Sequence, residues 1–238
     1  VVAKFLKLRQ HEVQLEVRLL GGGFGGKGTR CVLVACAAAL AAQKLNRTVR
    51  FVQSLDSMLS TLGKRWPSLM KYEFHAQKSG KIVGIESQFY EDGGYLRNES
   101  FLEHTLDKST NCYDFQPESY KLDGYIVLTD SPNNVACRAP GSIEGVGMIE
   151  AIMEQLAFES GLSSVEVRMA NISKQHKMKQ LLPKFIESRD YYERLKQIQN
   201  FNRENRWLKK GLGLSVMDYR MGYFGQYSAT VAVYHGDG

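Results

Sequence analysis

The chain has 238 residues, of which 43% are apolar, 24% are charged and 11% are aromatic, with a formal net charge of +6. These apolar and aromatic residues can bury a sizeable core, which excludes a collagen, a disulfide-stapled miniprotein and a disordered tail. The lysines and arginines are spread along the chain, and no basic helix is interleaved with aromatic residues, so we expect no nucleic-acid partner. The longest apolar run, over residues 31–42, is too short to span a bilayer, so we expect no membrane partner.

Four cysteines are present, and they form no CxxC pair: Cys31, Cys36, Cys112 and Cys137. Without that spacing we interpret them as reduced thiols rather than as metal ligands or disulfides. No secretory signal is apparent in the sequence. These features together predict a cytoplasmic protein.

Both ends of the sequence are unusual. It begins with Val1 rather than with methionine. The alternating residues 228–234 predict a strand, and the Gly-Asp-Gly sequence at 236–238 predicts a hairpin turn after it. Because a hairpin turn needs a second strand, we expect the sequence to be an internal part of a longer protein.

The N-terminal half contains patterns of both strands and helices. Alternating apolar residues predict a half-buried strand over 11–20, and an apolar run without Gly or Pro predicts a buried helix over 31–45. Four further strands are predicted, of which the middle two pair as a hairpin around a turn at 78–81: residues 48–53, 72–77, 82–90 and 122–129.

The next part of the chain carries helix patterns. Apolar residues at helical spacing predict an amphipathic helix over 143–158, which ends at Gly161. Ser163 and Glu166 match a capping box that opens a short helix through Met169.

The last third of the chain is predicted to change character. Residues 174–210 are polar with apolar residues at helical spacing, which predicts an exposed helix. We predict that a β-rich unit begins near Gly211. We therefore predict an α+β fold, with a first domain over residues 1–205 and the start of a second over residues 206–238.

Glycine is concentrated in one loop, because six of the 22 glycines lie in the GGGFGGKG sequence at residues 21–28. The loop follows a predicted strand and precedes a predicted helix, so its backbone N–H groups would favour an anion or an electron-rich oxygen. The sequence alone leaves open a structural role, in which the glycines only let the strand and the helix pack closely.

Two nucleotide-binding motifs fit this loop in part. Gly21, Gly23 and Gly26 satisfy GxGxxG, but Gln53 stands where a dinucleotide site has an acidic residue. Gly21, Gly26 and Lys27 also satisfy GxxxxGK, but Gly28 replaces the Ser or Thr that would hold magnesium. Neither motif is complete.

A second loop of similar chemistry is the ACRAPG sequence at residues 136–141, before the amphipathic helix. It offers backbone amides at a helix N-terminus together with the guanidinium of Arg138. A helix-entry turn with a solvated arginine is the structural alternative. Two such helix starts suggest opposite walls of one cofactor pocket.

These two loops and the GKRWP sequence between them, in this order, resemble the molybdenum-binding part of the xanthine dehydrogenase and aldehyde oxidase family. The resemblance covers nearly the whole chain, and CRAPGSIEG and GYFGQYSATVAVYHGDG look most like the aldehyde oxidases of insects. It implies a fold of two large α+β molybdenum domains. The implied reaction is the hydroxylation of an aldehyde with water by a molybdenum–molybdopterin cofactor.

The resemblance also implies a set of site residues. The cofactor would be approached by Gly23, Phe24, Gly25, Gly26, Arg138 and Ala139, and the backbones of Phe24 and Arg138 would lie nearest to the molybdenum. In the full-length protein, FAD and two 2Fe–2S clusters would carry the electrons, and the protein would be a homodimer. The catalytic glutamate of the family would lie beyond Gly238, so we expect this part alone to be inactive.

Three positions that the resemblance assigns to the substrate pocket, Gly28, Arg65 and Pro140, bear on the substrate, together with one departure from the family pattern beside Arg138. Gly28 stands where xanthine-oxidising members have a glutamate, and Pro140 stands where they have an aromatic residue. Arg65 matches a second arginine that contacts the purine, and Cys137 replaces an aromatic residue. The balance favours an aldehyde. The alternatives are a purine hydroxylase of the xanthine dehydrogenase type, a non-catalytic binding or dimerisation module, and a nicotinamide-dependent oxidoreductase.

Overall fold

A computed structural model describes residues 1–17, 19–97, 99–219, 231 and 235–236. Eight α-helices lie in the described part: α1 (Val2–Leu6), α2 (Cys31–Leu45), α3 (Leu55–Thr61), α4 (Leu102–Lys108), α5 (Ser142–Ser160), α6 (Ser164–Asn171), α7 (Met178–Ser188) and α8 (Tyr191–Glu204). Three strands accompany them: β1 (Ser68–Ala76), β2 (Ile82–Gly94) and β3 (Tyr120–Leu128). The predicted α+β fold is confirmed.

The three strands form one mixed sheet with β2 in the centre. β1 and β2 pair antiparallel, as predicted, and Gly80 in the turn has a φ of 78° that favours glycine. β3 pairs parallel to β2. Parallel neighbours need a crossover connection, and here the crossover contains α4.

Helix α5 forms the centre of the core, as its apolar spacing predicts. Ile149, Ile152 and Met153 are fully buried and belong to one cluster with Ile82 and Ile85 of β2. The helix ends where predicted, because Gly161 adopts the left-handed conformation at its C-cap. The predicted capping box is also present, since Ser163 and Glu166 exchange hydrogen bonds at the start of α6.

A buried ion pair fixes the packing of α6 on α5. Arg168 is fully buried, and its Nε and Nη2 donate to Glu150 Oε2 at 3.0 and 2.8 Å. The same carboxylate accepts hydrogen bonds from the Tyr113 hydroxyl and from the Val216 amide. Burial, with the charge of Glu150, raises the pKa of Tyr113, so this hydroxyl stays a donor. Asn111 Nδ2 also donates to the Val216 carbonyl at 2.7 Å. Both backbone groups of Val216 are therefore hydrogen-bonded to side chains of the core.

Two of the predicted strands are wrong. Residues 10–12 form a short 3-10 turn, and neither 13–17, 19 and 20 nor 48–53 form strands in the described structure. Leu15 and Leu19 are 87% and 96% exposed. Alternation assigns the two faces of a strand, but a strand also needs a neighbour for its backbone hydrogen bonds, and these segments pair with none of the described strands.

The predicted positions of the helices agree with the structure better than their predicted burial does. Helix α2 ends at Leu45 as predicted, but only Cys36 in it is buried, so the prediction of a buried helix is wrong. One exposed helix was expected over 174–210. Two are found instead, because Asp190 has a left-handed backbone that separates α7 from α8.

Some predictions fall outside what the structure describes. The strand at 228–234 and the turn at 236–238 lie almost wholly outside the described residues. The division of the chain at residue 205 stays a prediction. None of the helices in the described ranges is long and apolar enough to cross a bilayer.

Replacement of Glu150 by glutamine tests the buried ion pair. Glu150→Gln leaves the buried guanidinium of Arg168 with one carboxylate partner, the half-exposed Glu154 at 2.7 Å from Nη1, and this costs up to about 3–5 kcal/mol. We expect a decrease of this size in the free energy of unfolding, measured by urea titration and circular dichroism. Glu159→Gln, an exposed substitution on the same helix, is the control, with an expected change within about 0.5 kcal/mol. Equal effects of the two substitutions would contradict the role of the pair.

Glu91 gives the fold a pH dependence of known sign. Burial raises the pKa of its carboxyl group, although Thr105 Oγ1 and Ser100 Oγ each donate to it at 3.0 Å. The folded state therefore holds the proton more tightly than the unfolded chain does, so this contribution to stability is present in acid and is lost as the pH rises through the raised pKa. We expect Glu91→Gln, which cannot ionise, to gain stability relative to the wild type from acidic to neutral pH. Parallel stability profiles in the same pH series would contradict this account.

Candidate functional site

The glycine loop folds into a tight turn before α2. Phe24 has a left-handed backbone with a φ of 50°, and Gly25 follows with a φ of 82°. The turn closes on itself, because the Gly28 amide donates to the Gly25 carbonyl at 2.7 Å and the Lys27 amide donates to the Gly23 carbonyl at 3.3 Å. A positive φ at a residue other than glycine is unfavourable, so Phe24 marks a backbone held by its surroundings.

The two predicted loops contact each other through their backbones. The Arg138 amide donates to the Phe24 carbonyl at 2.7 Å. A Cβ atom on Gly25 would lie 2.5 Å from the Ala136 carbonyl oxygen, so only glycine permits this approach. The two motifs are therefore in direct backbone contact, whereas the sequence predicts them on opposite walls of one pocket. The guanidinium of Arg138 lies over the Phe24 ring, 5.9 Å from its centroid.

The second loop leads into α5 through two residues of positive φ. Ala139 has a φ of 56°, and Gly141, at the N-cap of α5, has a φ of 76°. Pro140 lies between them. The alanine conformation is strained in the same way as that of Phe24. Both loops thus contain one strained residue other than glycine beside their mutual contact.

A third segment, from the GKRWP sequence, joins these loops. A Cβ atom on Gly63 would lie 2.3 Å from the Asn133 carbonyl oxygen, and the Val135 amide donates to the Lys64 carbonyl at 2.9 Å. Arg65 follows, and its Nη2 donates to the Arg138 carbonyl at 2.5 Å. Its Nη1 lies 2.8 Å from Glu144 Oε1.

Two acidic residues, neither of them predicted as a site residue, hold the three segments together. Glu99 accepts hydrogen bonds from the Ala136 amide at 3.2 Å and from the Thr29 hydroxyl, so it ties the end of the glycine loop to the second loop. Glu144 pairs with Arg65, while its other carboxylate oxygen is buried without a partner in the described structure. The position of Glu144 in the first turn of a predicted helix was a usable signal, whereas the local sequence around Glu99 gave none.

A cavity of about 510 Å³ lies against the glycine loop. Four of the predicted site residues line it, namely Gly23, Phe24, Gly26 and Arg65. The remaining lining comes from the same loop, from α3 and from the neighbouring segments: Leu20, Gly21, Gly22, Lys27, Leu55, Met58, Leu59, Gly63, Lys64, Val135 and Cys137. The wall from α3 and Leu20 is apolar, and the cationic side chains come from Lys27, Lys64 and Arg65.

The other predicted site residues do not belong to this described lining: Gly25, Gly28, Arg138, Ala139 and Pro140. Gly25 and Arg138 nevertheless make the contacts that fix the two loops. Gly28 closes the turn behind the loop, where a Cβ atom would lie 3.0 Å from the Gly25 carbonyl oxygen. The second loop thus contributes Cys137 to the lining, and its contacts through Arg138 and Ala136 hold the glycine loop in place.

The described side chains offer acids and thiols only singly at this site. No group of three or more His, Cys, Asp or Glu is placed to hold a metal ion within the described ranges. The four cysteines are free thiols, as predicted, and burial raises the pKa of Cys112 to about 12. The described residues before the glycine loop form no strand, so the strand–loop–helix unit that a dinucleotide site requires is missing from this part of the structure.

Comparison with known proteins is consistent with this geometry. Residues 1–172 match the family described as molybdopterin cofactor-binding domain. The chain is 32% identical to the xanthine dehydrogenase/oxidase of Rattus norvegicus and 33% identical to aldehyde oxidase 4 of Cavia porcellus, in each case over 98% of its length. It spans only 19% of each of these curated relatives. The two identities do not separate a purine-oxidising relative from an aldehyde oxidase.

Solved structures show the same fold. Quinoline 2-oxidoreductase from Pseudomonas putida 86 matches 85% of this chain and 28% of its own chain, with a TM-score of 0.71 and 19% identity. CO dehydrogenase from Oligotropha carboxidovorans matches 85% of this chain and 27% of its own, with a TM-score of 0.69 and 20% identity. Because the family model matches residues 1–172, the chain belongs to the molybdenum hydroxylase family of xanthine dehydrogenases and aldehyde oxidases, within which it carries the molybdopterin cofactor-binding domain sequence.

Proposed function

We propose that this chain contributes one wall of the cofactor site of a molybdenum-dependent oxidoreductase that hydroxylates aldehydes to carboxylic acids, with water as the source of oxygen. The observation that carries the proposal is the direct backbone contact between the glycine loop and the Arg138 loop beside a cavity of about 510 Å³. Family membership supplies the cofactor class. The loop contact supports the proposed assignment of the site to residues of these two loops.

The residues present fit molybdopterin. A volume of about 510 Å³ is within the range of sites that hold organic cofactors. Glycine at 21, 22, 23 and 26 presents backbone rather than side chains to the cavity, so a planar ligand can approach it closely. Lys27 and Lys64 supply positive charge that suits the phosphate of the cofactor, whereas the charge of Arg65 is paired with Glu144.

Each loop residue has a role in this proposal. Gly23, Phe24, Gly25, Gly26, Arg138 and Ala139 hold the cofactor, with the backbones of Phe24 and Arg138 nearest to the metal. When bound, the molybdenum centre supplies the redox chemistry by accepting two electrons from the substrate. The chain itself orients the cofactor through a strained, close-packed backbone, and the apolar residues of α3 exclude water from one side of the cavity.

Aldehyde specificity is supported by the resemblance, which assigns Gly28 and Pro140 to the substrate pocket, and not by the lining of the described cavity, to which neither residue belongs. Gly28 has no side chain to hydrogen-bond a purine, and Pro140 cannot stack on one as an aromatic ring does. A recognition site that lacks its hydrogen-bonding groups discriminates poorly for the polar substrate. Purine hydroxylation of the xanthine dehydrogenase type is the second candidate, because the relatives of both kinds are equally similar.

The proposal extends to the intact protein. FAD and two 2Fe–2S clusters would carry the electrons from the molybdenum, and a glutamate outside this sequence would act as the base. We further propose a cytoplasmic homodimer, and a boundary between two molybdenum domains near residue 205.

Substitution of Gly25 tests the loop contact. Gly25→Ala places a methyl group 2.5 Å from the Ala136 carbonyl oxygen at a φ of 82°, so the loops must separate, at a cost of roughly 1–3 kcal/mol. We expect the intact protein to lose about nine-tenths of its bound molybdenum, measured by mass spectrometry of the metal. Gly147→Ala is the matched control, since a Cβ atom there meets nothing within 4 Å. Equal molybdenum contents in the two variants would contradict the proposed cradle.

The choice between substrates is tested with the purified intact protein. We expect turnover of aldehydes that is lost when the metal is depleted. We also expect about a hundredfold lower kcat/KM for xanthine, because the hydrogen bonds to the purine are missing. The measurement is steady-state kinetics with both substrate classes. Efficient xanthine oxidation without aldehyde oxidation would establish the second candidate.

A further inference from the structure

Arg65 connects two elements of the site rather than extending freely into the cavity. Its Nη1 pairs with Glu144 Oε1 at 2.8 Å, and its Nη2 donates to the Arg138 carbonyl at 2.5 Å. The side chain is 29% exposed, whereas that of Glu144 is 6% exposed. Both terminal nitrogens of the guanidinium therefore have protein acceptors, at the point where the GKRWP segment meets the start of α5.

The burial of Glu144 explains why Arg65 stays in place. A buried carboxylate needs an opposite charge or several donors, and Arg65 is the cation that contacts it. Arg65 is itself anchored through its neighbours, because Lys64 accepts a hydrogen bond from Val135 and Gly63 packs against the Asn133 carbonyl. Glu144 thus holds the guanidinium, and the backbone contacts of Gly63 and Lys64 hold the segment that carries it.

The Arg138 carbonyl belongs to the peptide group that links Arg138 to Ala139. Ala139 has a φ of 56°, which an alanine rarely adopts, and the orientation of this peptide plane is part of that conformation. The amide of the same residue, Arg138, donates to the Phe24 carbonyl. Arg65 therefore fixes one side of Arg138, while the glycine loop fixes the other.

We propose that Arg65, held by Glu144, is a positioning residue that keeps the strained Arg138–Ala139 backbone in contact with the glycine loop, and that it does not contact substrate. This assignment replaces the substrate-contact role that the sequence resemblance implies for Arg65, and it rests on the proposed function of the two loops. It predicts that Arg65 and Glu144 act as one unit, because each orients the guanidinium for the same carbonyl.

Kinetics of the intact, molybdenum-loaded protein test the proposal with Arg65→Gln, Glu144→Gln and the double variant. We expect each single substitution to lower kcat by about tenfold with KM for several aldehydes within about twofold of the wild type. The double variant should be no slower than the slower single variant. Arg97→Gln, which removes an exposed arginine 3.8 Å from Glu103, is the matched control and should leave both constants unchanged. A rise in KM for Arg65→Gln alone, or additive effects of the two substitutions, would overturn the proposal.

Hydrogen exchange separates this proposal from the proposed function, because it needs no activity. We expect faster amide exchange over residues 136–141 in Arg65→Gln and in Glu144→Gln, and unchanged exchange over β1 and β2, which also shows that the variants fold. Unchanged exchange over residues 136–141 would overturn the positioning role. If exchange responds as expected but the wild type holds no molybdenum, the proposed function is wrong and the positioning role of Arg65 is still supported.

Discussion

The hydrogen bond from the Arg138 amide to the Phe24 carbonyl joins the two loops of the site, and the other contacts of the site depend on it. Two strained residues, Phe24 and Ala139, lie beside this hydrogen bond. Such conformations persist only where the surroundings over-determine them. Here Gly25 permits the approach, and Glu99 and Arg65 hold the second loop at Ala136 and at Arg138.

The core explains why these loops can be held so closely. The second loop leads directly into α5, whose apolar residues and whose Glu150–Arg168 pair fix it to the sheet and to α6. A helix start attached to a rigid core places backbone groups more accurately than a free loop does. The glycine loop, by contrast, leads into α2, which is mostly exposed in the described structure. The rigid partner therefore determines where the glycine loop lies.

Local signals in the sequence predicted much of this arrangement. The turn at 78–81, the apolar spacing of α5 and the capping box at Ser163 each depend on residues close together in the chain, and all are confirmed. The failed predictions concern strand pairing and hydrogen bonds between residues that are far apart in the sequence. Alternation at 11–20 could not supply a neighbouring strand, and the spacing around Glu99 could not show which backbone amide it would accept from. The carbonyl acceptor of Arg65 lies 73 residues away, so only the fold could reveal it.

The central claim is that the glycine loop and the Arg138 loop form one wall of a molybdenum site. Anomalous diffraction at the molybdenum absorption edge, from crystals of the intact protein, tests it most directly. The account predicts an anomalous peak beside the backbone of residues 23–26 and 138–139, with the Arg138–Phe24 hydrogen bond intact. A molybdenum peak away from both loops, or a fully loaded enzyme in which the two loops are separated, would contradict it.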